Sequence, residues 1–263
     1  MPELPEVEAV RRKLDREVAR AVIVAARIVR RPDRALEAQL RGRRIERVGR
    51  RGKNLLIELD GDCILRVHLG MTGNLYPIRD ARLRPVATRA WFELDDGRAL
   101  VFDDPRALGR LELLTAAEAE RLASGLGIEP TAPEFTAERF LELARRSRAP
   151  VKLFLMDQTR ISGLGNIYAA EALFRAGIHP ARPTNRLSRR RLERLYAAIV
   201  EALHVAIQSA CNAYSGPGRF DASETFPLAV YGREGSACPR CRRRIRRIRQ
   251  AGRSTYFCPG CQR

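Results

Sequence analysis

Four cysteines near the C-terminus carry the clearest chemistry in the 263-residue sequence. Cys238-x2-Cys241-x16-Cys258-x2-Cys261 supplies the ligand count and the paired spacing of a closed tetrahedral thiolate site, and zinc is the metal such a site selects. With sulfur in all four positions, no coordination site is left for water. The expected ion is therefore structural, and it folds a short hairpin that could not bury enough surface alone. Two disulfides or incidental thiols are the alternative. Between Arg240 and Arg263 stand nine arginines and no acid, which makes the segment a basic finger aimed most simply at a phosphate backbone.

Three glycine-bearing turns are the other candidates. Ile161-Ser162-Gly163-Leu164-Gly165-Asn166-Ile167-Tyr168 puts such a turn directly ahead of a helical pattern, with Asn166 in capping position. Exposed amides at a helix start bind phosphate, although the same pattern also makes an ordinary helix–helix corner. Lys152 precedes the corner, and Gly177, His179 and Pro180 end the helix beyond it, so a helix, two turns and a helix is the expected local shape. His68-Leu69-Gly70-Met71-Thr72-Gly73 and Asp103-Asp104-Pro105-Arg106-Ala107-Leu108-Gly109 each close an apolar strand in a turn. A lone histidine is usually structural and a lone methionine usually fills a core; Arg106 and Leu108 by themselves would pass as surface residues. His179 and His204 receive no catalytic role.

The formal charge of +18 makes nucleic acid the first expected partner and an anionic membrane surface the second. Hydrophobic residues at 45% leave ample material for a core and argue against a disordered basic tail. Of the 49 basic residues only Lys13, Lys53 and Lys152 are lysine. Compositional drift explains such a bias, and a lysine that survives it marks a place where a point-like ammonium is wanted. The N-terminus has neither the basic nor the apolar region of a signal peptide, and no run of eighteen apolar residues occurs anywhere. Cys63 and Cys211 stand alone, so the cysteine pattern suits a reducing cytoplasm.

The elements that must position these residues fall into two halves, an α+β arrangement. Val7, Val10, Leu14 and Val18 have helical spacing, and Pro5 suits a first turn, so a helix is expected from about residue 5 to 19, with Pro2 and Glu3 at its positive mouth. Strands are expected over 22–29, 44–48, 55–59, 64–69, 90–94 and 99–102, with Asp60-Gly61 and Asp96-Gly97 as hairpin turns in an antiparallel sandwich. Residues 125–135 form a linker between a 1–124 domain and a helical 136–263 domain that ends in the zinc finger of 235–263. Helices are expected over 136–146, 151–157, 166–176 and 188–207, and residues 211–224 form a loop.

Five motifs in order along the chain resemble the formamidopyrimidine-DNA glycosylase family. They are Pro2-Glu3-Leu4-Pro5-Glu6-Val7-Glu8, the His68 turn, Gly165-Asn166-Ile167-Tyr168-Ala169, Val230-Tyr231-Gly232-Arg233-Glu234-Gly235 and the four cysteines. The related endonuclease VIII branch typically has Gly in place of Leu4 and lacks the His-Leu-Gly-Met turn, so the purine-lesion branch is the closer one.

The resemblance implies a monomeric, bifunctional glycosylase and abasic-site lyase of base excision repair, cytoplasmic and nucleoid-associated, acting on damaged double-stranded DNA. Removal of Met1 would leave Pro2 as a secondary amine that attacks C1′ and forms an iminium; β- and δ-elimination then cut the strand. Glu3 acts as general acid and later base, Glu6 organises the site, and Lys53 and Arg253 complete the catalytic set. Lys53, His68, Lys152, Asn166 and Arg253 hold DNA, Met71 fills the gap left by the extruded nucleotide, Arg106 faces the base opposite, and Leu108 is a wedge. Two departures bear on substrate. Ala107-Leu108 stands where the family commonly has Arg-Phe, and the 209–224 loop lacks the Thr pair and the Lys that often accompany 8-oxoguanine recognition, with Gly216 in the place of that Lys. The alternatives are a noncatalytic zinc-finger lesion-binding protein and an endonuclease VIII-like glycosylase for oxidised pyrimidines.

Overall fold

Helix α1 (Leu4–Val18) buries Val7, Val10, Leu14 and Val18 on one face, each worth about 1.5–3 kcal/mol, and Pro5 stands in its first turn. The computed structural model describes residues 2–29, 32–217 and 226–263. The chain divides into two units, residues 1–124 with 209–222 and residues 125–208 with 223–263.

In the first unit, β1 (Ile23–Ile28), β6 (Thr88–Leu94), β7 (Ala99–Asp103) and β5 (Asn74–Ile78) form one antiparallel sheet in that order. A second antiparallel sheet is ordered β2 (Ile45–Arg51), β3 (Asn54–Leu59), β4 (Cys63–His68), β8 (Arg110–Thr115). Ile57, Leu65 and Val67 of one sheet and Phe92 and Phe102 of the other join the α1 face in a single core. Both expected hairpins are present, with Gly61 at φ +70° and Gly97 at φ +83° in their turns. Four helices and strands go beyond the expectation. Helix α2 (Arg34–Leu40) is capped by Asp33, which accepts from Leu36 N–H at 2.9 Å; β5, β8 and α3 (Ala116–Ser124) are the others.

The second unit holds α4 (Ala137–Arg145), α5 (Val151–Met156) and α6 (Asn166–Ala176), the long α7 (Arg189–Ala213) as far as residue 208, and a hairpin of β9 (Arg246–Gln250) and β10 (Arg253–Phe257). Gln158 organises the two turns between α5 and α6: its Nε2 donates to Leu164 O at 2.7 Å and its Oε1 accepts from Gly163 N–H at 2.9 Å. Gly177, at φ +69°, ends α6. Helix α7 runs past the expected residue 207, and residues 211–213 belong to it, which corrects the loop expected there; Leu192, Leu195, Ile199 and Leu203 are buried along it, and Ala210 and Tyr214 join the first unit's core. Residues 218–224 of that expected loop lie outside the described residues. No helix among the described residues is long and apolar enough to cross a membrane.

Candidate functional site

The N-terminal carboxylates are deeply enclosed. Pro2 is buried, Glu3 is 0% exposed and Glu6 is 1% exposed. Acidic groups at that depth require donors. Glu3 and Glu6 form a capping box in which Glu3 N–H donates to Glu6 Oε2 at 2.7 Å. Glu6 thus fixes the backbone next to Pro2, and the helix dipole favours negative charge at this end.

One turn of α1 further on, Glu8 gathers three arginines. Arg12 Nε donates to it at 2.8 Å, Arg50 Nε at 2.9 Å and Arg11 Nη2 at 3.0 Å. Burial pushes the Glu8 carboxyl up, but hydrogen bonds from Arg11, Arg12 and Arg50, with the Arg50 charge, outweigh it and hold the group down to about 2. Arg50 also donates from Nη1 to Gly52 O at 2.9 Å. Gly52 and Lys53 are the two-residue turn between β2 and β3, with Gly52 at φ +58° as the first central residue of a type II′ turn. A chain of charge-assisted bonds therefore links α1 to the turn that presents Lys53.

Lys53 shares one end of this sheet with His68 and Arg110: Asn54 pairs with His68, and His68 pairs with Arg110. Burial lowers the His68 pKa, and the charges of Arg66, Lys53 and Arg110 lower it further. Gly70 N–H donates to His68 Nδ1 at 3.1 Å, so the proton of the neutral ring sits on Nε2, a donor suited to an anion. Arg110 is a cation of this cluster that the sequence did not single out; its opposite position to His68 is visible only in the strand register.

Met71 is 40% exposed and Leu108 47% exposed, and Arg106 is exposed beside them in sequence. Apolar side chains presented on turns in this way are available to a partner. Ala107, between Arg106 and Leu108, has φ +53°, an unusual conformation for a residue with a Cβ.

In the second unit the four cysteine Sγ atoms lie within 4.8 Å of one another, with Cys238–Cys261 at 3.8 Å and Cys241–Cys258 at 3.4 Å. A zinc ion with Zn–S bonds of about 2.3 Å sets tetrahedral sulfur–sulfur edges of about 3.8 Å, so this donor set fits one structural zinc. None of the four is in a disulfide. The hairpin rests on α6, where Ala170 and Phe174 join Val230, Ile245, Cys238 and Cys258 in one cluster. Glu171 of α6 accepts N–H bonds from Ala229, Val230 and Tyr231, each at 2.9 Å, and so secures the Val230-Tyr231 motif.

Arg253 is exposed and directly follows the two-residue turn Ala251-Gly252, whose φ values of +44° and +76° suit a type I′ hairpin. One expectation is corrected beside it, the capping position of Asn166. Lys152 is 1% exposed, and its Nζ donates to Thr255 Oγ1 at 2.6 Å and to Ser254 O at 3.1 Å, so its ammonium holds the hairpin. Asn166 is the first residue of α6 and not its cap, a place taken by Gly165; its Nδ2 donates to Ser254 O at 3.1 Å. Both side chains thus converge on the carbonyl next to Arg253.

Gly216 has φ +119°, and its carbonyl accepts from Asn74 Nδ2 at 2.7 Å. A lysine at this position would be strained by the backbone alone.

Residues 1–111 match the formamidopyrimidine-DNA glycosylase N-terminal domain, residues 126–215 the H2TH domain of the same enzymes, and residues 235–263 the zinc finger found in FPG and IleRS. The formamidopyrimidine-DNA glycosylase of Chloroflexus aggregans is 42% identical over 272 residues, covering 100% of this chain and 98% of the relative. That of Xanthomonas campestris pv. campestris is 40% identical over 276 residues, covering 100% of both. Among solved structures, Lactococcus lactis Fpg in complex with an abasic site containing DNA has a TM-score of 0.90 at 33% identity, covering 99% of each chain. A complex of a Lactococcus lactis FPG mutant with a Fapy-dG containing DNA has a TM-score of 0.89 at 34% identity over 100% of both chains. With three family domains in order and relatives similar from end to end, the chain belongs to the formamidopyrimidine-DNA glycosylase family.

Proposed function

We propose that this chain is a bifunctional DNA glycosylase and abasic-site lyase of base excision repair, acting as a monomer on damaged double-stranded DNA and removing oxidised purines such as 8-oxoguanine and formamidopyrimidines. The observation that carries the reading is the burial of Pro2 with Glu3 and Glu6 at the positive end of α1. Once Met1 is removed, Pro2 offers a secondary amine whose unprotonated form is favoured by burial. The Pro2 nitrogen bonds to C1′ as the base leaves with the electrons of the glycosidic bond, and the nitrogen gives up its proton; Glu3 protonates the ring oxygen, the C1′–O4′ bond breaks to leave a 4′ hydroxyl, and the nitrogen lone pair forms the iminium. The resulting iminium draws electrons from C2′, and loss of the C2′ proton to Glu3 expels the 3′ phosphate; a second elimination expels the 5′ phosphate. Water adds to C1′ of the remaining iminium, and its collapse releases the unsaturated aldehyde left from the sugar and returns the Pro2 amine.

Lys53, His68 and Arg253 hold phosphates near the lesion, Arg253 from a hairpin that the structural zinc folds when bound and that Lys152 and Asn166 steady. Met71, Arg106 and Leu108 occupy the gap and face the opposite strand. The catalytic domain is residues 1–124, followed by a linker of 125–135 and a DNA-binding domain of 136–263, and the protein works in the cytoplasm on the nucleoid.

Borohydride trapping tests the reading. The processed protein is expected to leave a reducible crosslink on abasic and 8-oxoguanine duplexes, mapped to Pro2. Glu3→Gln is expected to bind lesion DNA while losing base removal. A free Pro2 terminus that forms no crosslink overturns the proposal, and a retained Met1 favours the lesion-binding reading instead. A Lactococcus lactis Fpg complex with an oxidized pyrimidine containing DNA has a TM-score of 0.88 at 34% identity over 100% of both chains, and this chain carries Ala107-Leu108 in its opposite-strand turn. These observations favour a second substrate class, so an oxidised pyrimidine belongs in the same duplex panel.

A further inference from the structure

The turns that carry Met71 and Arg106 to Leu108 come from different strands, and their backbones touch. A Cβ built on Gly70 would lie 2.7 Å from Gly109 N and 2.7 Å from Leu108 C, and one on Gly109 would lie 2.9 Å from His68 O. Glycine at both positions is what permits this approach.

Across the seam stands Asp104, 0% exposed. Its Oδ1 accepts from the Thr72 hydroxyl at 2.6 Å, and its Oδ2 accepts from Gly109 N–H at 2.8 Å. Thr72 Oγ1 in turn accepts from Arg106 N–H at 3.2 Å. On the far side, Arg89 Nε donates to Asp104 O at 2.6 Å and its Nη2 to Pro105 O at 3.1 Å. One buried carboxylate is thus satisfied by a donor from each turn. Separating the turns would strand its charge, so the low-energy state is the one in which they move together.

We infer that Asp104 and Thr72 are positioning residues that clamp the Met71 turn and the Arg106–Leu108 turn into one wedge, so that filling the gap and reading the opposite base occur as a single event. The inference rests on the base-extruding activity proposed above. Neither residue is asked to touch DNA; both act through the side chains they hold.

Thr72→Val keeps the side-chain shape and removes the hydroxyl, whereas Thr72→Ser keeps the hydroxyl. Thr72→Val is expected to lower kcat/KM for lesion excision from duplex DNA by about tenfold, the worth of a hydrogen bond to a charged group. It is also expected to flatten the ratios of excision measured opposite each of the four bases, with Thr72→Ser close to the parent protein. Lyase activity on a single-stranded abasic oligonucleotide has no opposite base to read and is expected to change by less than about twofold. In the DNA-free protein, hydrogen exchange at the Gly109 amide is expected to accelerate in Thr72→Val and further in Asp104→Asn.

Unchanged opposite-base ratios, an unchanged Gly109 exchange rate, or a parallel loss of single-strand lyase activity would each overturn the clamp. If the parent protein acts on no lesion duplex at all, the proposed function falls, and the Gly109 exchange still decides whether the two turns are coupled.

Discussion

Two hairpin turns in this protein each present one cation, and they are held by opposite means. The Gly52-Lys53 turn belongs to a four-stranded sheet over a large core and is braced from α1 through Glu8 and Arg50. The Ala251-Gly252 turn, with Arg253 beside it, belongs to two five-residue strands and rests on the four-cysteine site and on the Lys152 and Asn166 donors to Ser254 O. A sheet that buries enough apolar surface can spend a charged network on orienting one turn. A two-stranded ribbon has no such reserve and needs a metal.

Removing the metal should separate the two regions most sharply. Chelation takes away a binding free energy of about 10–16 kcal/mol, which far exceeds what a short hairpin can replace, and Cys258→Ser removes one of its four ligands. DNA binding is expected to vanish while the strand-rich unit keeps its cooperative melting transition; zinc-independent binding by Cys258→Ser would break the comparison. The next effect belongs to the other turn. Glu8→Gln leaves Arg50, whose side chain is 6% exposed, without its carboxylate and is expected to cost about 3 kcal/mol in urea unfolding. Its pH signature has a definite sign. The Glu8 carboxyl is held near 2 when folded against an ordinary 4.5, so the stabilisation is complete above 4.5 and is lost as pH falls from 4.5 towards 2. That slope should disappear in Glu8→Gln, and an unchanged slope would mean that Glu8 does not brace the turn. The smallest effect is Lys53→Ala, expected to flatten the dependence of DNA affinity on salt by about 0.9 in logarithmic slope if one phosphate contact is lost.

What could be read from the sequence follows the range of the interactions involved. Helix α1 and the two Asp-Gly hairpins are local, written in helical spacing and in residues that tolerate positive φ, and they form close to where expected. The zinc site is also local, because each cysteine pair sits on one turn. Helix α2 escaped because seven residues with two buried leucines make no periodic signal. The residues expected to hold DNA divide in the same way. Lys53 and Arg253 are expected from the family resemblance, and the structure places each at a two-residue hairpin turn, whereas Lys152 and Asn166 meet Ser254 across 102 and 88 residues of sequence. Spacing says nothing about such partners, and the burial of Lys152 against the hairpin is visible only in the fold. The Asp104 clamp is hidden for the same reason, since the Asp104 partner Thr72 lies 32 residues away.

The finger between Arg240 and Arg263 holds nine arginines and no lysine, and the one lysine it meets, Lys152, is withdrawn behind β10. Guanidinium groups remain protonated throughout the physiological range and do not condense with aldehydes, as lysine amines do. An opened abasic sugar is such an aldehyde. A surface of guanidinium groups can therefore touch such an aldehyde without condensing with it.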